Sequence, residues 1–246
     1  MTDKIIENAG VKFYANTELE KWRAETLLKK EPETIAWLNY YANVGSVFYD
    51  IGANVGSYSM YAASLNSKLN VYAFEPVQEN FSALLSNILL NNSDNVHAFR
   101  IAASIQNKLT PIYLQDIRIG NSGAQIDAPV DERGNHFDQV STQQVLGLSL
   151  NSMVKELGFP APNFVKIDVD GHEKDIIEGM TDLLEMESLL SILVEFNSAT
   201  EIAYYSTILA KFKFAPDAIY NEHPNHSTKR RSAKNGTAVN CVFTKK

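Results

Sequence analysis

The stretch Val47-Phe48-Tyr49-Asp50-Ile51-Gly52-Ala53-Asn54-Val55-Gly56-Ser57-Tyr58 decides the fold. An apolar, strand-like run carries an acid near its end, opens into a glycine-punctuated turn and continues as a helical pattern. Gly52 and Gly56 let the backbone turn sharply and approach a ligand, which a side chain would obstruct. The spacing Gly52-x-x-x-Gly56 differs from the Gly-x-Gly-x-x-Gly that seats a pyrophosphate on a helix N-terminus. Asn54 stands in place of the middle glycine and Asp50 precedes the turn, so the loop offers an amide and a carboxylate. Such a loop suits a cationic, hydroxyl-bearing ligand, and S-adenosylmethionine is one.

Outward from this loop, β-rich runs alternate with helical stretches. Strands are predicted at 47–51, 70–74, 96–102, 164–169 and 189–196, and helices at 58–65, 78–91, 150–157 and 173–186. This order implies an α/β, doubly wound, Rossmann-like, mostly parallel sheet with crossover helices on both faces. Residues 17–41 read as one or two amphipathic helices interrupted near Pro32, forming an N-terminal helical cap over residues 1–45 beside a main domain spanning 46–246. Residues 110–145, with Gly120-Asn121-Ser122-Gly123 at their centre, read as a hairpin or loop insertion over the site. A polar segment, 221–236, holds His223, His226, Lys229, Arg230, Arg231 and Lys234; the strand 237–244 after it closes a C-terminal antiparallel hairpin.

A chain of 246 residues suits one α/β domain with decorations. Its net charge of -7 argues against the broad basic surface that nucleic acid or an anionic membrane requires, so no nucleic-acid partner is expected. The single cysteine, Cys241, excludes an intramolecular disulfide and a cysteine-based zinc site. With no signal-peptide core and no run of about 18 apolar residues, the expectation is a cytoplasmic protein without a transmembrane segment.

The second strand ends in Phe74-Glu75-Pro76, about 20 residues after the glycine turn, where doubly wound folds place an acid that accepts hydrogen bonds from ribose hydroxyls. Pro76 holds Glu75 extended. A surface Glu at a strand end is the competing reading of that acid, and the glycine turn at the correct interval favours the ribose. Asp50 reads as a contact to the ligand's ammonium, or as a turn or cap acid. Asn54 reads as a ligand amide or as a left-handed turn residue. Ala102, at the end of the third strand, leaves room for an adenine ring, although packing alone explains an alanine there. The cofactor set is therefore Asp50, Gly52, Asn54, Gly56, Glu75, Pro76, Ala102 and Asp168.

Lys166-Ile167-Asp168-Val169-Asp170-Gly171-His172-Glu173 places four polar groups at the C-terminal end of a central strand, the edge where open α/β sheets bind ligands. Together with the glycine turn, Ala73-Phe74-Glu75-Pro76, Ile192-Leu193-Val194-Glu195 and Asn240, it resembles the FkbM-type methyltransferases, a branch of the class I S-adenosylmethionine-dependent fold. The resemblance spans roughly residues 45–245. It implies a seven-stranded sheet and methyl transfer, usually to a hydroxyl of a sugar or a secondary metabolite such as a polyketide. Family members carry Leu-Asp before the helix preceding the signature strand; here the pair is Leu150-Asn151.

A sugar hydroxyl is a poor nucleophile, so a general base or an acidifying metal would assist, bases contributing about 10² to 10⁴-fold. Asp168 is the first candidate for a carboxylate facing the methyl group; Asp170, His172 and Glu173 follow as substrate contacts or base. Glu173 also reads as a dipole-favouring acid at a helix start. Asp168, Asp170 and Glu173 are oxygen ligands of the type Mg²⁺ accepts, which leaves a divalent metal open and unassigned. The cluster between Lys229 and Lys234 reads as a solvated face or as a grip on an anionic small-molecule or glycan acceptor. Two other classes compete: a nicotinamide-dependent oxidoreductase, for which Gly52 to Gly56 makes a poor pyrophosphate cradle, and a noncatalytic cofactor-binding protein.

Overall fold

The computed structural model describes residues 3–131, 134–227 and 239–246. Its centre is a seven-stranded sheet built from β3 (Val47–Ile51), β4 (Asn70–Phe74), β5 (Val96–Phe99), β10 (Phe164–Ile167), β11 (Ser191–Phe196), β12 (Phe214–Pro216) and β13 (Val239–Lys245), in the order β12-β13-β11-β10-β3-β4-β5. The pairs β3 with β4, β4 with β5, β10 with β3 and β10 with β11 are parallel; β13 runs antiparallel to β11 and β12. Strand order reverses between β3 and β10, which is where a doubly wound sheet opens its ligand crevice.

Both faces of the sheet are covered, so the central strands are apolar on both sides. Phe48 and Phe164 point into one core beneath the helices α2 (Pro32–Val44) and α3 (Ser57–Leu65). Tyr49, Ile51, Val165 and Ile167 point into the other, with α5 (Leu150–Lys155), α6 (Glu173–Glu178), α7 (Thr181–Glu185) and α8 (Ala199–Ala210).

Predicted and observed elements coincide for β3, β4 and α4 (Gln78–Asn91). Elsewhere tertiary contacts override the local pattern. The expected strand 96–102 breaks at Arg100: β5 stays in the main sheet, while β6 (Ile101–Ala103) joins β9 (Ser141–Leu148), β7 (Lys108–Leu114) and β8 (Gln125–Ile126) in a second sheet. The expected insertion is an antiparallel pair, β7 with β9, flanked by β8, and Asn121, Ser122 and Ala124 within it line the crevice. The expected helix 173–186 divides into α6 and α7 at Gly179, where a Cβ would press on the Ser104 carbonyl at 2.5 Å. The helix α8 and a short N-terminal hairpin, β1 (Ile5–Asn8) with β2 (Val11–Tyr14), had no counterpart in the sequence pattern. A short α9 (Ala218–Asn221) follows β12, and the cluster from Lys229 to Lys234 lies outside the described residues.

The N-terminal helices follow from their caps. Thr17 accepts the Glu20 backbone N–H at 3.2 Å while the Glu20 carboxylate accepts that of Thr17 at 2.8 Å, a capping box that starts α1 (Glu18–Lys30). Pro32 occupies the first turn of α2 and excludes helical backbone at the residue before it. Glu31 is accordingly extended (φ -139°, ψ 78°), and its side chain turns into the interior rather than continuing a helix face.

Candidate active site

A cavity of about 330 Å³ opens at the C-terminal ends of β3, β4 and β10, under the second sheet and α1. One end is apolar, lined by Phe74, Val77, Ile101, Ala102, Ile112 and Ile126. The rest of the lining carries four carboxyl groups, Glu75, Asp168, Asp170 and Glu195.

The turn after β3 is held against its neighbours. Gly52 and Ala53 donate backbone N–H bonds to the Phe74 carbonyl, each at 3.0 Å, and Asp168 donates its own to the Ile51 carbonyl at 3.1 Å. Gly52 has φ +77°, and a Cβ there would run into the Asp168 carbonyl. The glycine is therefore required because two ligand-bearing turns abut, as well as by the backbone angle. Asn54 is left-handed (φ 52°); its N–H donates to Glu75 Oε2 at 2.8 Å, and Val77 N–H donates to Glu75 Oε1 at 2.9 Å. Burial pushes the Glu75 carboxyl up to about 7 against those two bonds.

Three expected site residues stand back from the cavity. Gly56 (φ +85°) faces Leu84 of α4, so its lack of a Cβ serves helix packing. Asp50 is buried behind the turn, accepting from Ser59 Oγ at 2.6 Å. Glu173, the first residue of α6, is 5% exposed and lies outside the lining; burial pushes its carboxyl up to about 8. Gly52, Asn54, Glu75, Pro76, Ala102, Asp168, Asp170 and His172 all line the cavity.

Lys166 explains the position of Asp50. The two are register partners on adjacent parallel strands, so their side chains share a face, and Lys166 Nζ lies 3.4 Å from Asp50 Oδ1 and 2.9 Å from Asp168 Oδ2. Burial opposes the Lys166 charge, but Asp168, Asp50 and Glu31 together hold its pKa above the ordinary lysine range. Burial likewise opposes ionisation of Asp168, yet Lys166, Lys30 and a hydrogen bond with Glu195 hold its carboxyl well below the usual range. Tyr58 completes the layer: the ammonium sits 5.4 Å from its ring centroid, and its hydroxyl donates to Glu31 Oε2 at 2.9 Å. Glu31 Oε1 in turn pairs with Lys30 Nζ at 2.6 Å, and despite full burial that cation keeps the Glu31 carboxyl below its ordinary value. A lysine amid Phe164, Val165 and Ile167 demands a buried counter-charge; that was the available signal for this layer.

Asp170 and His172 anchor the strand-to-strand crossing of the second sheet. Asp170 Oδ2 accepts from Gly123 N–H at 2.5 Å, its carbonyl accepts from Gln125 Nε2 at 2.8 Å, and His172 Nε2 accepts from Ile126 N–H at 3.3 Å. The last contact assigns the ring proton to Nδ1, and burial lowers the His172 pKa, so the imidazole is neutral near pH 7. Asn54 and Asn80 both donate to the Asn121 carbonyl, at 2.8 and 3.0 Å. From α1, Trp22, Arg23 and Lys30 close the opposite wall; amphipathic spacing alone marked these as cap residues, with no indication that they reach the crevice. Among the described residues, no group of three or more His, Cys, Asp or Glu side chains is placed to hold a metal ion, so Asp168, Asp170 and Glu173 do not converge as a ligand set.

A doubly wound sheet with reversed β13, a buried acid after β4 and a carboxylate-lined crevice at the switch point fit a nucleoside-cofactor-dependent enzyme of the class I transferase type. The sequence profile described as the Methyltransferase FkbM domain matches residues 50–215. The chain belongs to that family and is an S-adenosylmethionine-dependent methyltransferase. Hexuronic acid methyltransferase AglP of Haloferax volcanii is 27% identical over 220 residues, covering 86% of this chain and 81% of that protein. Methyltransferase 1 of Beauveria bassiana is 24% identical over 181 residues, covering 69% and 72%. The 31-O-demethyl-FK506 methyltransferase FkbM of Streptomyces tacrolimicus is 23% identical over 160 residues, covering 56% and 60%. The solved structure of M. jannaschii TYW2 in complex with AdoMet aligns with 100% of this chain and 87% of that chain at 13% identity and a TM-score of 0.45. No helix among the described residues is long and apolar enough to cross a membrane.

Proposed function

We propose that the cavity binds S-adenosylmethionine with its adenine in the apolar end and its ribose on Glu75, and that the chain methylates an oxygen of a sugar or secondary-metabolite acceptor presented to the carboxylate-bearing part of the lining. The observation that carries the placement is Glu75 itself, a buried carboxyl group in the cavity lining with both oxygens oriented by the backbone of the flanking turns. The acceptor class draws support from the relatives named for hexuronic acid and FK506 methylation. When bound, the cofactor supplies an electrophilic methyl on a sulfonium, so the protein must chiefly align and desolvate.

Within this reading the four chemistry candidates separate. Asp168, kept ionised by Lys166, is too weak a base to deprotonate a hydroxyl and instead fixes its direction and offsets positive charge. His172 is the neutral nitrogen base lining the cavity, free to take an acceptor proton once Nε2 exchanges its long bond to Ile126 N–H. Asp170 holds the crossing segment that shapes the acceptor side. Glu173 supports the turn from behind. A cytoplasmic setting, a helical cap over residues 1–45 and the absence of a nucleic-acid partner belong to the same reading.

The test is calorimetric titration of the full chain with S-adenosylhomocysteine and, in parallel, NAD. Saturable binding of the former alone is expected, weakened about 10-fold or more in Glu75→Ala through loss of the hydroxyl contacts. Equal affinity in Glu75→Ala and the parent removes the ribose assignment, and binding of NAD alone removes the cofactor placement.

A further inference from the structure

The two cations that α1 presents to the cavity are in opposite states. Lys30 is spent: its ammonium pairs with Glu31 at 2.6 Å and lies 5.9 Å from the Trp22 ring centroid. Arg23 is held but not neutralised. Its Nε donates to the Gly120 carbonyl at 2.7 Å, and among the described residues its terminal guanidinium nitrogens have no hydrogen-bond partner and no carboxylate within ion-pair distance. Gly120 is shaped to receive it: its N–H is fixed by Asn80 Oδ1 at 2.8 Å, its φ is +86°, and a Cβ would lie 3.3 Å from Leu19 Cβ and 3.4 Å from Arg23 Nε. One edge of a rigid planar fork is thus anchored on a loop carbonyl while the other is left to the cavity. The acidic side chains lining that cavity are Glu75, Asp168, Asp170 and Glu195. An unpaired guanidinium in an acid-lined site complements a ligand that is cationic in one part and anionic in another.

We propose that Arg23 is the carboxylate clamp of this site, binding an anionic oxygen pair of the bound ligand through its free guanidinium edge. The inference rests on the cofactor placement above. One chemistry has two sources: the amino-acid end of the cofactor, or an acidic acceptor such as a uronic acid. In either case Arg23 is a binding residue that the sequence pattern of α1 conceals.

The experiment compares the full-length parent with Arg23→Gln and Arg23→Lys by calorimetry. The probes are S-adenosylhomocysteine, 5′-methylthioadenosine, which keeps the nucleoside thioether but lacks the carboxylate, and glucuronate against glucose on the S-adenosylhomocysteine-loaded protein. A charge-assisted pair gives about a 10- to 100-fold loss when removed. If the cofactor is the source, S-adenosylhomocysteine weakens by that factor in Arg23→Gln while 5′-methylthioadenosine stays within about 2-fold, and Arg23→Lys is intermediate. If the acceptor is the source, both nucleosides are unchanged and glucuronate binding is lost selectively over glucose. Parallel loss of both nucleosides signals a structural role through Gly120 and overturns the clamp, as does retention of every affinity. Failure of the parent itself to bind either nucleoside would instead overturn the cofactor placement on which the clamp depends.

Discussion

Three interior carboxylates of this protein solve the same problem in three ways, and the contrast separates site from scaffold. Asp168, at the cavity, is held by a cation, Lys166, at 2.9 Å. Glu33, fully buried on α2, is held by donors: Ser227 N–H at 3.0 Å, the Ser227 hydroxyl and Asn240 Nδ2 at 3.0 Å. Glu173 has little of either, with Gly171 N–H at 3.4 Å, and its carboxyl rises to about 8. A donor-saturated carboxylate has no capacity left for a ligand, so Glu33 serves as a rivet between α2 and the C-terminal hairpin. A cation-paired one keeps oxygen lone pairs and charge to present at a cavity.

The strongest way to break this comparison is Lys166→Met, which leaves the buried Asp50 and the cavity-facing Asp168 without their cation. Removal of one partner from a buried ion pair costs about 3–5 kcal/mol, or roughly 6–20 °C in Tm for a chain of this size. Thermal denaturation checks it; a Tm shift within about 2 °C would show that the charges are solvated rather than paired. Glu33→Ala strands the Ser227 and Asn240 donors and is expected to cost about 1–3 kcal/mol. Because Glu33, Ser227 and Asn240 do not themselves line the cavity, affinity for S-adenosylhomocysteine should change by less than about 2-fold. A marked loss of that affinity would mean that the hairpin, too, shapes the site.

The smallest effect sharpens the third case. Glu173 has a folded pKa near 8 against an ordinary value of 4.5, so the folded state retains a proton that the unfolded chain releases between those values. Stability from this group is therefore lost as pH rises from about 4.5 to 8. Glu173→Gln cannot ionise, so its Tm relative to the parent should climb between pH 5 and pH 8.5, by a few degrees at the upper end. A constant Tm difference across that range would show that Glu173 is already ionised in the folded protein. Glu75 adds a slope of the same sign, ending near pH 7.

How much could be read beforehand differs by residue. Glu75 and Gly52 were legible because each answers to a local rule: an acid at a set interval after a glycine turn, and a backbone angle few residues adopt. Asp50 and Gly56 carried the right residue types but the wrong direction, since the signature shows that a carboxylate precedes the turn and not that Lys166 on another strand draws it inward. The helix α8 had a local signal, Ser198 capping the Glu201 N–H at 3.2 Å, that the strand-helix alternation overshadowed. The break at Arg100 had none: β5 and β6 differ only in which sheet offers partners.

The sequence by itself determined the alternating sheet, the glycine turn, the acid that follows the second strand and the signature strand, because hydrophobic period, backbone angle and short-range spacing act within a few residues. Tertiary structure alone decided which carboxylates face the cavity and that Arg23 reaches it. It also decided that Asp170 and His172 anchor the crossing of the second sheet. Ionisation and hydrogen bonding inside the protein depend on partners distant in the chain, 116 residues for Lys166 with Asp50 and 207 for Asn240 with Glu33, and those contacts are set only when the elements meet.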